Sequence, residues 1–432
     1  MPLTRDRIRE REITVGVVGL GYVGLPLCLA FAESGIAVLG FDVDATKADA
    51  IMAGRSYLKH IAAERIADPV AAQRLRATSD FTAVADCDAL LICVPTPIDE
   101  HLQPDLSYVC DTAAAIAPHL RRDTLVVLES TTWPGTTQEV VLPELERGSG
   151  LALGDGLLVA FSPEREDPGN PQFVTRTIPK LVGGLDARSG ELAVALYELA
   201  VDQVVHVSSA AVAESAKLFE NIFRSVNIAL VNELKVILDR MGIDVWEVIA
   251  ASATKPFGFM PFWPGPGLGG HCIPVDPFYL SWKAKEFGAD CRFIELAGQI
   301  NRAMPRWVVG RVAECLNQRG KAVKGSRVLI LGMAYKPDVD DMRESPSLEL
   351  MRLLESRGAV VDYHDPYIPE LPSTRHFPEY AGRRSQEPAA AYDCFLLATA
   401  HAPYTPEWVL AHGVPVVDTR NALPDHPLVV RG

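Results

Sequence analysis

Cys272 ends a glycine-rich run, Pro264-Gly-Pro-Gly-Leu-Gly-Gly-His-Cys-Ile-Pro-Val-Asp-Pro277, in which four glycines and four prolines fall within fourteen residues. Glycine tolerates positive φ and lets a backbone approach a ligand closely, so a cysteine at the end of such a loop can be presented bare to a substrate. Asp276 and Pro277 precede Phe-Tyr-Leu-Ser-Trp-Lys-Ala-Lys-Glu-Phe and Gly288, which reads as an N-cap, a first-turn proline and a helix with a glycine stop. Cys272 then lies just ahead of a helix N-terminus, a setting that favours a thiolate nucleophile. For a cysteine taken alone, an inert thiol in a tight structural loop is the better reading, so the rest of the chain must supply a reason for a nucleophile.

A second chemical stretch lies near the start. Ile13-Thr-Val-Gly-Val-Val reads as an apolar strand, Gly19-Leu-Gly21-Tyr22-Val23-Gly24 as a glycine turn, Leu25 to Ser34 as a helix and Ala37 to Phe41 as a second strand. GxGxxG between a strand and a helix is a dinucleotide fingerprint, with the pyrophosphate on the helix N-terminus. Asp42 ends the second strand, where a carboxylate suits the ribose hydroxyls of NAD and repels the extra phosphate of NADP. Three later apolar strands each run into a polar loop: Ala89 to Val94 into Pro95-Thr96-Pro97, Thr124 to Leu128 into Glu129-Ser-Thr131-Thr-Trp-Pro-Gly135, and Leu157 to Phe161 into Ser162-Pro-Glu164-Arg165. Ligands of open α/β sheets lie at the carboxyl ends of the strands, so these loops should share one site.

From Ala210 to Met241 the pattern is helical without Pro or Gly, long enough for a spine joining two domains. Glu214, Lys217, Asn221 and Ser225 recur at spacings of three and four and share one face. A Lys and an Asn one turn apart can hold an oxyanion; on spacing alone, a solvated stripe is the stronger reading. Helices continue through Leu316, with an interruption expected near Pro305. Strands return after Gly320: Arg327 to Leu331, a polar loop carrying Lys336 and Arg343, a helix from Ser347 to Arg357, Val360 to Tyr363, Tyr392 to Ala398, and Val414 to Asp418 followed by Arg420. Taken singly, Lys336, Arg343 and Arg420 read as solvated charges. The expected fold is α/β: two Rossmann-like parallel-sheet domains (1–205 and 320–432) joined by a helical central domain (206–319) with a long spine helix.

The 432 residues are enough for two or three domains and a sizeable core. They are 48% hydrophobic and 22% charged, with a formal net charge of −14, which opposes nucleic-acid binding. Eight scattered cysteines without CxxC pairs read as reduced thiols of a cytoplasmic protein, and no metal site is expected. The chargeless run Ile13 to Ala32 after four arginines imitates an export signal, but Asp6, Glu10 and Glu12 nearly cancel that charge and the run's glycines fit the fingerprint. No segment reads as membrane-spanning.

These motifs occur in one order: GxGxxG, the Ser-Thr loop, the Pro-Glu loop, Lys-xxx-Asn on a long helix, Gly-Gly-x-Cys-xxx-Asp, and Tyr335-Lys-Pro-Asp with Arg343-Glu-Ser-Pro. Together they resemble the UDP-glucose/GDP-mannose dehydrogenase family over nearly the whole chain. Lys255 to Leu280 is most similar to the UDP-N-acetylglucosamine 6-dehydrogenases within it. The resemblance implies two-step oxidation of a UDP-sugar C6 alcohol to a carboxylate with two NAD⁺. It implies Cys272 as nucleophile, Lys217 and Asn221 as oxyanion holders, Asp276 and Thr131 at the water, and Glu164 assisting hydrolysis. Gly19, Gly21, Tyr22, Val23, Gly24, Asp42, Lys47, Thr96, Thr131 and Arg343 are matched to NAD. Glu164, Arg165, Lys217, Asn221, Lys255, Gly267, Gly269, Gly270, Tyr335, Lys336 and Arg420 are matched to the nucleotide sugar. A homodimer or higher homo-oligomer is implied as well.

Two departures stand out. Pro168 occupies the place of a second glutamate common in UDP-glucose enzymes, and Lys255 stands nearest to the arginine that many relatives supply from a neighbouring subunit. A lysine cannot make that arginine's bidentate contact. Alternative substrates are UDP-N-acetylmannosamine and UDP-glucose. Two rival classes are a β-hydroxyacid dehydrogenase, which needs neither Cys272 nor a second βαβ domain, and a non-catalytic nucleotide sensor, which does not need Cys272, Lys217 and Asn221 together.

Overall fold

The computed structural model describes residues 1–58, 61–99, 103–165, 175–270 and 272–432, so Pro168 and His271 lie outside the described residues. The chain divides into two units, one of residues 1–220 with 278–289, the other of 221–277 with 290–432. The family-type split at 205 and 319 thus differs from the division by contacts, because the two helices Ala210–Arg240 and Asp276–Ala284 each begin in one unit and end in the other.

In the first unit β1 (Thr14–Val18), β2 (Ala37–Phe41), β3 (Leu75–Thr78), β4 (Ala89–Ile92), β5 (Thr124–Leu128), β6 (Ala152–Leu153), β7 (Gly156–Phe161), β8 (Lys180–Gly184) and β9 (Val204–His206) form one sheet. Its order is β3-β2-β1-β4-β5-β7-β8-β9, with β6 beside β7. β1, β4, β5 and β7 are apolar and almost wholly buried, as strands covered on both faces must be. All pairings are parallel except β7 with β8, where Ala160 faces Gly184. That reversal brings the start of the Lys180 strand beside the loop that leaves β7. The helix Gly24–Glu33 packs on this sheet through Leu25, Leu27, Leu29 and Phe31.

The second unit holds β10 (Arg327–Leu331), β11 (Val360–His364), β12 (Cys394–Leu397), β13 (Val416–Asp418) and β14 (Val429–Arg431), all parallel in the order β11-β10-β12-β13-β14. The helices Arg292–Asn317 and Pro346–Ser356 cover it. No break occurs at Pro305; the helix runs straight through it. Proline forfeits one hydrogen bond in a helix interior, and here its buried ring is retained in packing beside Gly267.

The spine helix Ala210–Arg240 corrects the expectation of a solvated polar stripe. Glu214, Lys217, Asn221 and Ser225 are all buried, as are Asn232 and Lys235 further along. Its exposed side is apolar instead: Val212, Phe219, Phe223, Leu230, Leu234 and Ile237 all lie open, Phe219 at 69%. Spacing alone defines a face; it does not say which way the face points.

Candidate active site

In the first unit the fingerprint turn has the geometry a pyrophosphate requires. Gly19 has φ +95° and a side chain there would collide with the Cys93 carbonyl. At Gly24 a Cβ would lie 1.8 Å from the Gly19 carbonyl oxygen, so the turn can close on the helix only with glycine. Gly21 meets nothing within 4 Å, leaving open space on that side. Val23 offers the helix start no side-chain cap, so its N–H groups are not capped from there. Asp42 is buried; its Oδ2 accepts from Leu20 N at 2.8 Å and from Lys47 Nζ at 3.0 Å, and its Oδ1 accepts from Asp44 N at 3.0 Å. Tyr57 adds a bond to the Leu20 carbonyl at 2.5 Å.

At the strand ends of the same unit Glu129, Glu164 and Arg165 join a charged cluster around Lys180, a residue that the motif reading did not include. Lys180, 4% exposed, donates to Glu129 Oε2 at 2.6 Å and to Glu164 Oε2 at 2.9 Å. Tyr197 OH also donates to Glu129. Burial, together with the charge of Glu164, pushes the Glu129 carboxyl up to about 7 against the pull of Lys180. Burial opposes the Lys180 charge, but the two carboxylates outweigh it and raise its pKa. Arg165 extends the cluster: its Nη1 donates to the Pro179 carbonyl at 2.7 Å and its guanidinium pairs with Glu220. Thr96 is buried and Thr131 half-buried at the ends of β4 and β5, and Ser130 Oγ ties the two loops by donating to the Val94 carbonyl at 2.7 Å. Glu214 reaches from the spine helix to the same turn, accepting from Gly135 N and from Thr137 N and Oγ1. Lys217, one turn on, is 8% exposed and makes no hydrogen bond or ion pair among the described residues. An ammonium in such a place is costly unless an anion joins it.

In the second unit the glycine loop is clamped from three sides. Ser225 O accepts from Asn301 Nδ2, Asn301 Oδ1 accepts from Asn232 Nδ2, and Asn232 Oδ1 accepts from Gly265 N at 3.0 Å. Gly267 and Gly270 have φ +141° and +83°. A Cβ at Gly269 or Gly270 would lie 2.8 or 2.9 Å from the Tyr335 side chain, and one at Gly265 2.8 Å from Arg420 Nη1. Gly270 N donates to the Arg343 carbonyl at 3.2 Å. The fold therefore brings the glycine loop against Tyr335 and Arg343 from one distant loop and Arg420 from another. Arg420 is no solvated charge, since its Nε donates to the Ala398 carbonyl at 2.7 Å, and Arg343 makes a forked pair with Asp341. Lys336 lies over the Tyr335 ring at 5.7 Å.

At the loop's end Cys272 is half-buried, and its carbonyl accepts from Val275 N and from Asp276 N at 2.8 Å. Asp276 is the first residue of the helix Asp276–Ala284 and not its N-cap; its Oδ2 accepts from Asn221 Nδ2 at 2.6 Å. Lys255 is exposed, with its ammonium over the Phe257 ring. Phe262 packs edge-on against Phe223 and Trp263 stacks on Trp246, while Phe257 and Phe259 face outward.

Comparison with known proteins decides the family. Three domain patterns of the UDP-glucose/GDP-mannose dehydrogenase family match in sequence: the NAD binding domain at residues 13–201, the central domain at 211–303 and the UDP binding domain at 329–425. The chain belongs to this family. It is 36% identical over 91% of its length to a UDP-N-acetyl-D-glucosamine 6-dehydrogenase of Pseudomonas aeruginosa, covering 92% of that protein. It is 37% identical over 85% of its length to an NDP-N-acetyl-D-galactosaminuronic acid dehydrogenase of Ralstonia solanacearum, of which 87% is covered. Among solved structures, a UDP-D-ManNAc dehydrogenase of Pyrococcus horikoshii superposes with a TM-score of 0.86 at 30% identity, over 96% of this chain and 97% of that one.

This family member is an NAD-dependent nucleotide-sugar dehydrogenase, and the fingerprint turn, uncapped helix start and Asp42 fit NAD. NAD⁺ is expected to be preferred over NADP⁺, because the carboxylate of Asp42 repels a 2′-phosphate. A clash of only ~1.4 kcal/mol already gives about tenfold discrimination. Steady-state kcat/KM with the two cofactors checks it, and equal turnover with NADP⁺ refutes that role for Asp42. Among the described residues no helix is long and apolar enough to cross a membrane. None of the eight cysteines forms a disulfide among the described residues.

Proposed function

We propose that this dehydrogenase oxidises the C6 alcohol of UDP-N-acetylglucosamine to the carboxylate through a covalent intermediate on Cys272. The observation that carries the reading is the half-exposed thiol at the end of a clamped glycine loop, with its carbonyl bonded to Asp276 N and Asp276 in turn bonded to Asn221. Bound NAD⁺ supplies a hydride acceptor, once for each oxidation. The Cys272 thiolate adds to the C6 aldehyde, and the resulting thiohemiacetal again carries a C–H beside an oxyanion. Lys217 and Asn221 hold that oxyanion; the buried ammonium of Lys217, which pairs with no anion among the described residues, supports this role. Loss of the second hydride leaves a thioester. Water then adds to its carbonyl carbon, the C–S bond breaks and Cys272 leaves as thiolate. Asp276 and Thr131 orient the water and Glu164 assists as carboxylate. Tyr335, Lys336, Arg420, Arg165 and the glycines 267, 269 and 270 bind the UDP-sugar, and Arg343 binds NAD. A coupled count of two NADH per sugar separates this reading from a single-oxidation hydroxyacid dehydrogenase and from a sensor.

The sugar is assigned from the Lys255–Leu280 stretch, the Glu164-Arg165 pair and the Pseudomonas aeruginosa relative. Phe257 and Phe259 remain for an apolar contact with the acetamido methyl, Phe262 and Trp263 being engaged in packing. A panel of UDP-glucose, UDP-N-acetylglucosamine, its galacto isomer and UDP-N-acetylmannosamine is expected to show the highest kcat/KM for UDP-N-acetylglucosamine, by roughly 10–200-fold over UDP-glucose. UDP-glucose as the best substrate rules the assignment out; UDP-N-acetylmannosamine as the best moves it to that branch. We further read the exposed apolar stripe of the spine helix as the seat of a homodimer or higher homo-oligomer, since its spacings of seven, four and three match a helix-pairing seam.

A further inference from the structure

The cluster beneath Glu164 has an arrangement that the motifs do not mention. Lys180 opens β8, a strand otherwise made of Leu181, Val182, Gly183 and Gly184. Its side chain is buried, with the ammonium over the Tyr197 ring at the end of the helix Ala187–Tyr197 and between two carboxylates. One belongs to Glu129, directly ahead of Ser130 and Thr131 at the end of β5. The other belongs to Glu164, in the loop that leaves β7. A single cation thus fastens two loops, each carrying a residue assigned to the hydrolytic step.

Both ends of the clamp are supported. Behind it, Tyr197 donates to Glu129, so that carboxyl is engaged on both oxygens. In front, Glu164 Oε1 accepts from Arg165 N at 2.6 Å while Oε2 takes the lysine, which fixes the plane of the carboxylate. Arg165 itself is tied to the Pro179 carbonyl, one residue from Lys180. A structural ion pair alone gains little from such burial, because desolvating three charges offsets most of the attraction. An orienting role gives the arrangement a function.

We propose that Lys180 is the positioning residue for the Glu164 carboxylate in thioester hydrolysis, acting from the side of Glu129. The inference rests on the reading of Glu164 and Cys272 given above. Lys180 does not touch the reacting atoms. In the step it serves, a water oxygen bonds to the thioester carbon, a water proton passes to carboxylate, the C–S bond breaks and the sulfur keeps the electron pair. The two hydride transfers come earlier and do not use it.

The test compares Lys180→Met, Lys180→Arg, Glu164→Gln and Lys180→Met/Glu129→Gln in the full-length protein. The substrates are NAD⁺ and the best UDP-sugar of the panel. Rapid mixing reads the first-turnover NADH burst, steady state reads kcat and KM, and intact mass after acid quench reads any acyl group on Cys272. Lys180→Met is expected to keep the burst and a near-native KM, to lose about 10²-fold in kcat, and to accumulate the acyl adduct. Lys180→Arg should fall between it and the native enzyme. The double variant, which also removes the stranded carboxylate charge, should show the same adduct with recovered thermal stability. It carries the test if the single variant does not fold. Native kcat in Lys180→Met, or loss of the burst together with kcat, overturns the inference, and Glu164→Gln accumulating adduct alongside leaves the reading of Glu164 standing. If neither Glu164→Gln nor the lysine variants accumulate adduct, the hydrolytic reading of Glu164 falls and the inference with it.

Discussion

Cys272→Ala is expected to form no carboxylate product while still binding NAD⁺ and the UDP-sugar. The substitution removes one sulfur atom from a loop whose shape is set elsewhere, by Gly267 and Gly270 at positive φ, by Asn232 on Gly265 and by the Tyr335 side chain against Gly269 and Gly270. The bonds that Val275 N and Asp276 N give to residue 272 go to its backbone carbonyl, which alanine keeps. The pocket should therefore survive and the covalent route should not. Removing a catalytic nucleophile commonly costs on the order of 10⁴–10⁶ in kcat. Product analysis by mass and titration calorimetry with each ligand separate the two effects. Uronate formed at a comparable rate by the variant means that covalent catalysis through Cys272 is wrong.

Lys217→Ala should slow chemistry far more than it weakens binding. Its ammonium is buried, has no anionic partner among the described residues, and sits one helical turn before Asn221, which is itself bonded to Asp276. A donor aimed at charge that develops only during reaction acts mainly on the transition state, and losing one costs roughly 10²–10³ in kcat. Because the native side chain is buried and pairs with no anion among the described residues, its removal should leave thermal stability unchanged or raised. Steady-state kinetics and a melting curve on one preparation check both parts. A raised KM with unchanged kcat makes Lys217 a ground-state binding residue instead.

The residues that carry local geometry were legible in the sequence. A GxGxxG turn works mostly through neighbours in the chain, as Gly24 does against the Gly19 carbonyl, and Asp42 follows from the strand that comes next. The same holds for the glycine loop before Cys272 and for most element boundaries, since apolar period and turn residues act over a few positions. Pro305 misled this kind of reading: a proline ends helices on average, and here buried packing outweighs the one lost hydrogen bond. Asp276 misled it too, because it is the first residue of its helix rather than the cap ahead of it, and its Oδ2 accepts from Asn221, 55 positions earlier.

What only the tertiary structure decided is which polar faces are buried and which distant charges meet. The spacing of Glu214, Lys217, Asn221 and Ser225 defines a stripe, but a helical period is the same whether the stripe faces water or protein. Folding turned it inward and left Phe219 and Leu230 outside. Lys180 meets Glu129 across 51 positions and Glu164 across 16, through the reversed pairing of β7 with β8. The one trace of this in the sequence is a lysine at the head of an apolar strand, Lys180-Leu-Val-Gly-Gly. Its partners depend on sheet order, which sequence neighbours do not encode, and the depth that makes the pairing consequential comes from helices packed on both faces of the sheet.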